Sequence, residues 1–170
     1  MATKSKSDRL LQSPIHLLHR AGQCAEDLFD AEVGNRGLTA RQLAVLIAVA
    51  EDEVSSQSDL VKRTGIDRST LGGLVLRLQR RHLLQRRRKM EDSRTYAIKL
   101  TEEGRRLLRA AEPLAKRVDE RVLEALSSNQ REQFIEALVT IVDTLQALAS
   151  QGSEQAERVG ELGTGLKRRK

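Results

Sequence analysis

The chain has 170 residues, 39% apolar and 32% charged, with a formal net charge of +6 at pH 7. Such a length can bury one core, or build two small lobes that share one. Only 2% of the residues are aromatic and none is Trp, so the stacking platforms used by single-stranded nucleic acid and RNA binders are missing; Tyr96, Phe29 and Phe134 are too scattered to make one. No apolar run approaches the roughly 20 residues of a membrane span, and the N-terminus lacks a signal-peptide core, so a cytoplasmic protein is expected. The one cysteine, Cys24, excludes an intrachain disulfide and fits a reducing compartment.

Residues 1–9 are polar and basic and read as a flexible N-terminus. From Leu10 to about Val33 the apolar residues fall at helical spacing: Leu11, Leu18 and Ala25 form one series of sevens, and Pro14, Ala21 and Leu28 a second beside it. Pro14 suits a first helical turn, and Gly34-Asn35-Arg36-Gly37 ends the helix. Thr39 with Gln42 is a capping-box pattern that opens a second helix, apolar almost all round from Leu43 to Ala50 and therefore central to the fold. Ser56 and Asp59 cap a short third helix that runs to about Thr64, and Gly65 supplies the turn. Asp67 caps a fourth, in which Leu71, Leu74, Val75 and Leu78 make an i, i+3, i+4, i+7 stripe. Two short helices joined through Gly65 make a helix-turn-helix, and the second is its recognition helix.

After His82 the period changes to two. Leu83 to Lys89 and Thr95 to Leu100 are expected to pair as strands, with Tyr96, Ile98 and Leu100 alternating on one face and Met90 to Arg94 at the tip, a basic wing. Thr101 then caps a long helix with Leu107, Ala111, Leu114, Val118 and Val122 along one face, and Pro113 predicts a kink or break near Ala110. Ser127 with Gln130 caps the last helix, where Phe134, Leu138, Ile141, Leu145 and Leu148 step by four and three and Ile135, Val139 and Val142 widen the face. So wide a face exceeds what a small lobe can cover, and Leu11, Leu18, Phe134, Leu138, Ile141, Leu145 and Leu148 are expected to interlock with a second copy of the chain. From Gln151 the chain turns Gly-rich and polar and ends Lys167-Arg168-Arg169-Lys170, which reads as a flexible basic tail. The expected fold class is all-α with a small β-hairpin wing. Its winged helix-turn-helix DNA-binding region is 38–101, its helical dimerisation region 10–36 with 102–150, and its flexible ends are 1–9 and 151–170.

Charge agrees with that division through its distribution. Between Val61 and Lys99 there are twelve cations, Lys62, Arg63, Arg68, Arg77, Arg80, Arg81, Arg86, Arg87, Arg88, Lys89, Arg94 and Lys99, against three anions, Asp67, Glu91 and Asp92. The local balance is +9 in a chain of +6, so the remainder is net acidic and the positive field sits on one module. Counterion release from double-stranded DNA rewards such a patch and makes binding steeply salt-dependent.

The most specific motif is Asp92-x-Arg94, followed after five residues by Leu100-Thr101 and then Gly104, set at a wing and preceded by Asp67-Arg68-Ser69-Thr70-Leu71. On these residues the chain resembles the MarR family of bacterial winged helix-turn-helix regulators, from Pro14 to about Ser150. The resemblance implies a homodimer on a pseudo-palindromic operator in double-stranded DNA. It also implies a repressor released when a small ligand binds between the dimer lobe and the winged lobe, although a minority of members activate, or respond to oxidation or metal. Groove geometry assigns Arg68, Ser69 and Thr70, at the first turn of the recognition helix, to base edges, and Arg77, two turns on, to base or backbone. Arg86, Arg87, Arg88 and Lys89 are phosphate clamps. By resemblance Arg94 enters the minor groove while Asp92 holds its guanidinium; a surface ion pair that stiffens the tip is the plainer alternative. The chain departs from the family pattern at Gly72-Gly73, where polar or basic residues often sit, so that readout there is thin or the backbone approaches DNA closely.

For sensing, His16, His19, Arg20 and Arg41 are candidate counter-charges to a small anionic ligand, with Val45, Val49 and Leu108 as apolar walls. The resemblance suggests an aromatic carboxylate, a phenol or a coenzyme A thioester; histidines that merely support the dimer fit the same positions. His16 and His19 lack a clear third partner for a metal, and Cys24, with no hydroxyl donors near it in sequence, reads as a buried inert thiol. There is no Gly-rich phosphate loop, no Ser/His/Asp or Cys/His set and no metal motif, so neither an enzyme nor a cofactor is expected. A ligand-independent, nucleoid-type DNA binder would use the same basic lobe and stays open as the alternative, as does a redox- or metal-responsive regulator of the same fold.

Overall fold

The computed structural model describes residues 9–52, 56–88 and 96–165. The chain divides into two compact units, 1–122 and 123–170. In the first, a 3-10 turn Arg9–Gln12 leads into α1 (Pro14–Val33), and a 3-10 turn Gly34–Arg36 precedes α2 (Ala40–Glu51). There follow α3 (Gln57–Thr64), α4 (Arg68–Arg80), β1 (Leu84–Arg88), β2 (Tyr96–Leu100) and α5 (Glu102–Val122). The second unit holds α6 (Ser128–Gly165).

Each helix begins where a side chain can satisfy its free N–H groups. The Ser13 hydroxyl accepts from the His16 N–H at 3.4 Å, with Pro14 in the first turn. At α2 the Thr39 hydroxyl accepts from the Gln42 N–H at 3.3 Å while the Gln42 side chain accepts from the Thr39 N–H at 3.1 Å. Ser56 and Asp59 repeat that exchange at α3, with bonds of 3.2 and 3.0 Å. Gly37 (φ 68°) and Gly65 (φ 66°) turn the chain in the left-handed region, where a side chain would add strain.

The core of the first unit gathers around α2, which packs on α1, α3, α4, α5 and β2. Leu43, Val45, Leu46, Ala48 and Val49 are all buried, because nearly every face of this helix meets a neighbour. Against them lie Leu60, the stripe Leu71, Leu74, Val75 and Leu78, and Leu108 and Ala111 of α5. Burying each such leucine or valine contributes about 2 kcal/mol. Strands β1 and β2 pair antiparallel in the register Leu84↔Leu100 to Arg88↔Tyr96. Ala97 is buried together with Ile98 and Leu100, so the expected alternation is not strict; α2 and α5 both pack against β2.

The end of α4, the root of the hairpin and the start of α5 meet at one junction. His82 takes φ 57° and closes the helix: its N–H donates to the Gln79 carbonyl at 2.9 Å, and the Leu83 N–H to the Leu78 carbonyl at 2.9 Å. The Thr101 hydroxyl donates to the His82 carbonyl at 2.6 Å and accepts from the Gly104 N–H at 3.0 Å. A Cβ at Gly104 would sit 2.1 Å from the Leu83 carbonyl oxygen, so only glycine permits this approach.

Two expectations are corrected. Helix α5 runs unbroken through Pro113. Pro113 and Arg109, whose carbonyl loses its partner, both lie on the exposed side, while Leu108, Ala111 and Val118 are buried on the other; water can satisfy the carbonyl and packing holds the helix. Helix α6 continues through Gly165, past the point near Ser150 where the sequence suggested a flexible tail. Its start is as expected, with the Ser127 N–H donating to the Gln130 side chain at 3.0 Å. Along α6, Phe134, Ile135, Val139, Ile141, Val142, Leu145 and Leu148 are exposed and Leu138 half-buried. In the first unit Leu10, Leu11, Ile15, Leu17 and Leu18 are also exposed. Among the described residues no helix is long and apolar enough to cross a membrane.

Gly104→Ala is expected to destabilise the fold by about 3 kcal/mol, since the Leu83 carbonyl must move and carry the hairpin root with it. In thermal denaturation this should appear as a fall in Tm of roughly 6–12 °C.

Candidate nucleic-acid interface

Helices α3 and α4, joined through Gly65 and Ile66, form the helix-turn-helix, and the hairpin follows directly from α4. At the first turn of α4, Asp67 accepts from the Thr70 N–H at 2.9 Å. The Thr70 hydroxyl, and then its N–H, hold the Asp67 carboxyl below its ordinary value, and desolvation opposes them only in part. A carboxylate at this helix end also meets the positive end of the dipole.

Arg68 and Ser69 are exposed there, as a groove-reading turn requires, and Arg68 Nη2 donates to Ser58 Oγ at 2.9 Å. That bond orients the guanidinium across the start of α3. Thr70 is half-buried and shares with Arg77, seven residues on, the side of α4 that faces α1 and α2. Arg86 is exposed on β1, and the strand register places Arg87 and Arg88 opposite Ala97 and Tyr96. Lys89, Asp92 and Arg94 lie outside the described residues.

The cations of this lobe fall into two groups. Arg63 pairs with Glu51 and so ties α3 to α2, and Arg81 donates to the Gly37 carbonyl, tying the end of α4 to the turn before α2. Farther along, Arg121 meets Glu32 at 2.5 Å between α5 and α1. These brace the lobe. Arg77, Arg80 and Arg86 are exposed and have no acidic partner among the described residues. Their charge is therefore available to phosphates.

A cleft of about 330 Å³ runs between α1, the start of α2, and α4, lined by Glu26, Asp30, Thr39, Arg41, Thr70 and Arg77 among others. A second, of about 490 Å³, shares Ala40, Arg41 and Thr70 with it and extends toward Gly65 and Asp67. Of the suggested sensing residues only Arg41 lines either cleft. His16 is half-buried, His19 and Arg20 are exposed on α1, and none of the three lines them. Val45, Val49 and Leu108, expected as apolar walls of a ligand site, are 0%, 2% and 5% exposed and belong to the core. Cys24 is exposed on α1, not buried. Among the described residues no group of three or more His, Cys, Asp or Glu side chains could hold a metal.

From the sequence Arg80 and Arg81 stood only as members of the basic patch, and Leu76, Gln57 and Ser58 carried no assigned role. For Leu76 a signal existed, since a leucine off the 71, 74, 75, 78 stripe must point away from the core; Ser58 and Gln57 matter through contacts between helices that no local pattern announces.

A helix-turn-helix with an exposed first turn, unpaired arginines and an adjoining antiparallel hairpin defines a winged-helix DNA-binding protein. Residues 28–111 match the family profile described as transcriptional regulator SarA/Rot. The chain is 33% identical over 129 residues to the HTH-type transcriptional repressor NicR of Pseudomonas putida KT2440, covering 76% of this chain and 82% of that protein. It is similar in structure to BpsR of Bordetella bronchiseptica, whose DNA binding is regulated by 6-hydroxynicotinic acid, with a TM-score of 0.69, 31% identity, and coverage of 75% of this chain and 96% of the other. It is also similar to the repressor CouR bound to a 23-mer DNA duplex, with a TM-score of 0.74, 28% identity, and coverage of 82% and 99%. CouR of Rhodococcus jostii RHA1 has likewise been solved with p-coumaroyl-CoA. The chain belongs to the MarR family of winged-helix transcriptional regulators. Its relatives are regulators of transcription and not enzymes.

Asp67 carries a pH signature. Its carboxyl lies below the ordinary value when folded, so the stability it contributes is complete above the ordinary carboxylate range and is lost as pH falls through the lowered folded value. Asp67→Asn keeps a good cap without a titrating group. In paired thermal melts from about pH 6 to about pH 2, wild type is expected to lose stability relative to the Asn variant as acid is added; a constant difference would remove the assignment.

Proposed function

We propose that the protein is a cytoplasmic, homodimeric repressor that binds a pseudo-palindromic operator and leaves it on binding an aromatic carboxylate, a phenol or the coenzyme A thioester of such an acid. The observation that carries the DNA-binding part is the exposed first turn of α4, with Arg68 and Ser69 outward and Arg77, Arg80 and Arg86 in no ion pair among the described residues. In this reading Arg68 and Ser69 reach base edges, Arg86, Arg87, Arg88 and Lys89 position phosphates, and Arg94, held by Asp92, enters the minor groove. Thr70 and Arg77, turned toward the cleft, act on DNA from the side of the helix.

The two exposed apolar stripes on α6 support the dimer, since a monomer seldom leaves so much contiguous apolar surface in water, and so, on the first unit, do the exposed Leu11 and Leu18. The effector class is supported by the relatives, one regulated by 6-hydroxynicotinic acid and another solved with p-coumaroyl-CoA. The cleft at Arg41 offers a route from ligand to DNA. A carboxylate seated between Arg41 and Arg77 would draw on a cation of the recognition helix itself.

Fluorescence anisotropy with the DNA upstream of the protein's own reading frame and a scrambled duplex, at two salt concentrations, tests the central reading. A preference of roughly three powers of ten or more is expected, relieved by one member of a panel of aromatic acids and their thioesters; equal binding, indifferent to every compound, would instead mark an architectural DNA binder. Arg94→Ala should weaken operator binding by about 1–3 kcal/mol, and unchanged affinity would remove the wing's role. Leu138→Asp combined with Leu145→Asp should abolish the dimer in analytical ultracentrifugation, because the seam would bury unpaired charge; a surviving dimer would refute the assignment of this face.

A further inference from the structure

On α4 the core stripe Leu71, Leu74, Val75 and Leu78 leaves an opposite face made of Ser69, Gly73, Leu76 and Arg80, at i, i+4, i+7 and i+11, with Gly72 beside it. Leu76 is 47% exposed in the middle of that face. Gly73 is not required by the fold. Among the described residues a Cβ there would meet nothing nearer than Arg77 Nη1 at 3.9 Å, whereas one at Gly72 would come within 3.2 Å of Gln57 Nε2. A mid-helix glycine is less stable than alanine at the same place, so at Gly73 the helix gives up stability that nothing among the described residues demands. Arg80 stands at one end of this strip and Ser69 at the other, where Arg68 precedes it in the first turn, turned toward Ser58 of α3; both arginines are exposed. The strip is therefore apolar and flat at its centre and cationic at its ends.

Resting on the DNA-binding reading above, we infer that Gly73 lets the recognition helix lie close against the floor of the major groove, and that Leu76 reads a thymine there through its C5-methyl group. The chemistry selects the base. Leucine can neither donate nor accept a hydrogen bond, so the N7 and O6 of guanine or the amino group of cytosine, pressed against it, would lose water without replacement. The thymine methyl is the apolar feature of the groove floor, and contact with it gains from burial. The flanking arginines supply the charge complementarity that brings the duplex to this face.

The test begins with a site selected from a randomised duplex library by the full-length protein. Each thymine of that site is then replaced by deoxyuridine, which removes the methyl group and leaves the hydrogen-bonding edge unchanged. For one thymine in a half-site, wild type is expected to lose about four-fold in affinity, the worth of one buried methyl-sized group, and Leu76→Ala, which is exposed and leaves the fold intact, to lose nothing further from the same replacement. Gly73→Ala is expected to raise Tm while lowering affinity for the selected site. If every deoxyuridine effect is the same in wild type and Leu76→Ala, the thymine contact is overturned while sequence-specific binding stands. If no site is enriched above random duplex, the regulator reading falls and this one with it.

Discussion

The structure turns on the contact between Gly104 and the Leu83 carbonyl. At that point α5 begins almost touching Leu83, in the short link between α4 and β1, and the Thr101 hydroxyl closes the corner by bonding the His82 carbonyl and capping Gly104. Three elements with different geometric demands are held by one threonine and one missing Cβ. The recognition helix cannot shift along its axis without moving the root of the wing, and neither can move without disturbing α5, which packs on α1 and α2. A protein that must present a helix and a hairpin to adjacent grooves at once needs such coupling, because groove spacing tolerates little relative motion.

Within the same lobe, arginine does two kinds of work that composition cannot separate. Arg63 and Arg81 are spent on Glu51 and the Gly37 carbonyl, fastening α3 and the end of α4 to α2 and the turn before it. Arg77, Arg80 and Arg86 are left without acidic partners among the described residues and face solvent. A high count of cations therefore overstates the number free for phosphate, and salt dependence should reflect the second group and the wing. The cleft beside Arg41 and Arg77 puts Glu26 and Asp30 of α1 within the same cavity wall as the recognition helix. Charge on α1 is thus poised near charge that the helix would otherwise offer to DNA.

Much of this was legible in the chain before any coordinates. Caps at Thr39, Ser56, Asp67 and Thr101 are local chemistry, settled within three residues, and with Pro14 in the first turn of α1 they set the helix starts correctly. The stripe 71, 74, 75, 78 and the change of period after His82 located the recognition helix and the hairpin for the same reason. Where local rules erred, a long-range contact overruled them. Pro113 does not break α5 because buried residues on either side of it hold the helix; Val45, Val49 and Leu108 are not pocket walls because α2 is enclosed by five neighbouring elements.

Sequence by itself determined the element order, the DNA-binding class and the position of the basic module, since caps, periodicity and charge clustering are properties of neighbouring residues. Only the tertiary structure decided which arginines are engaged, that Thr70 and Arg77 turn toward a cleft holding Arg41, and that Gly104 is demanded by a carbonyl far from it in the chain while Gly73 is demanded by nothing among the described residues. Those facts depend on which surfaces meet after the chain has folded back on itself. A glycine required by packing and one that is not look identical in sequence, and only their surroundings tell them apart.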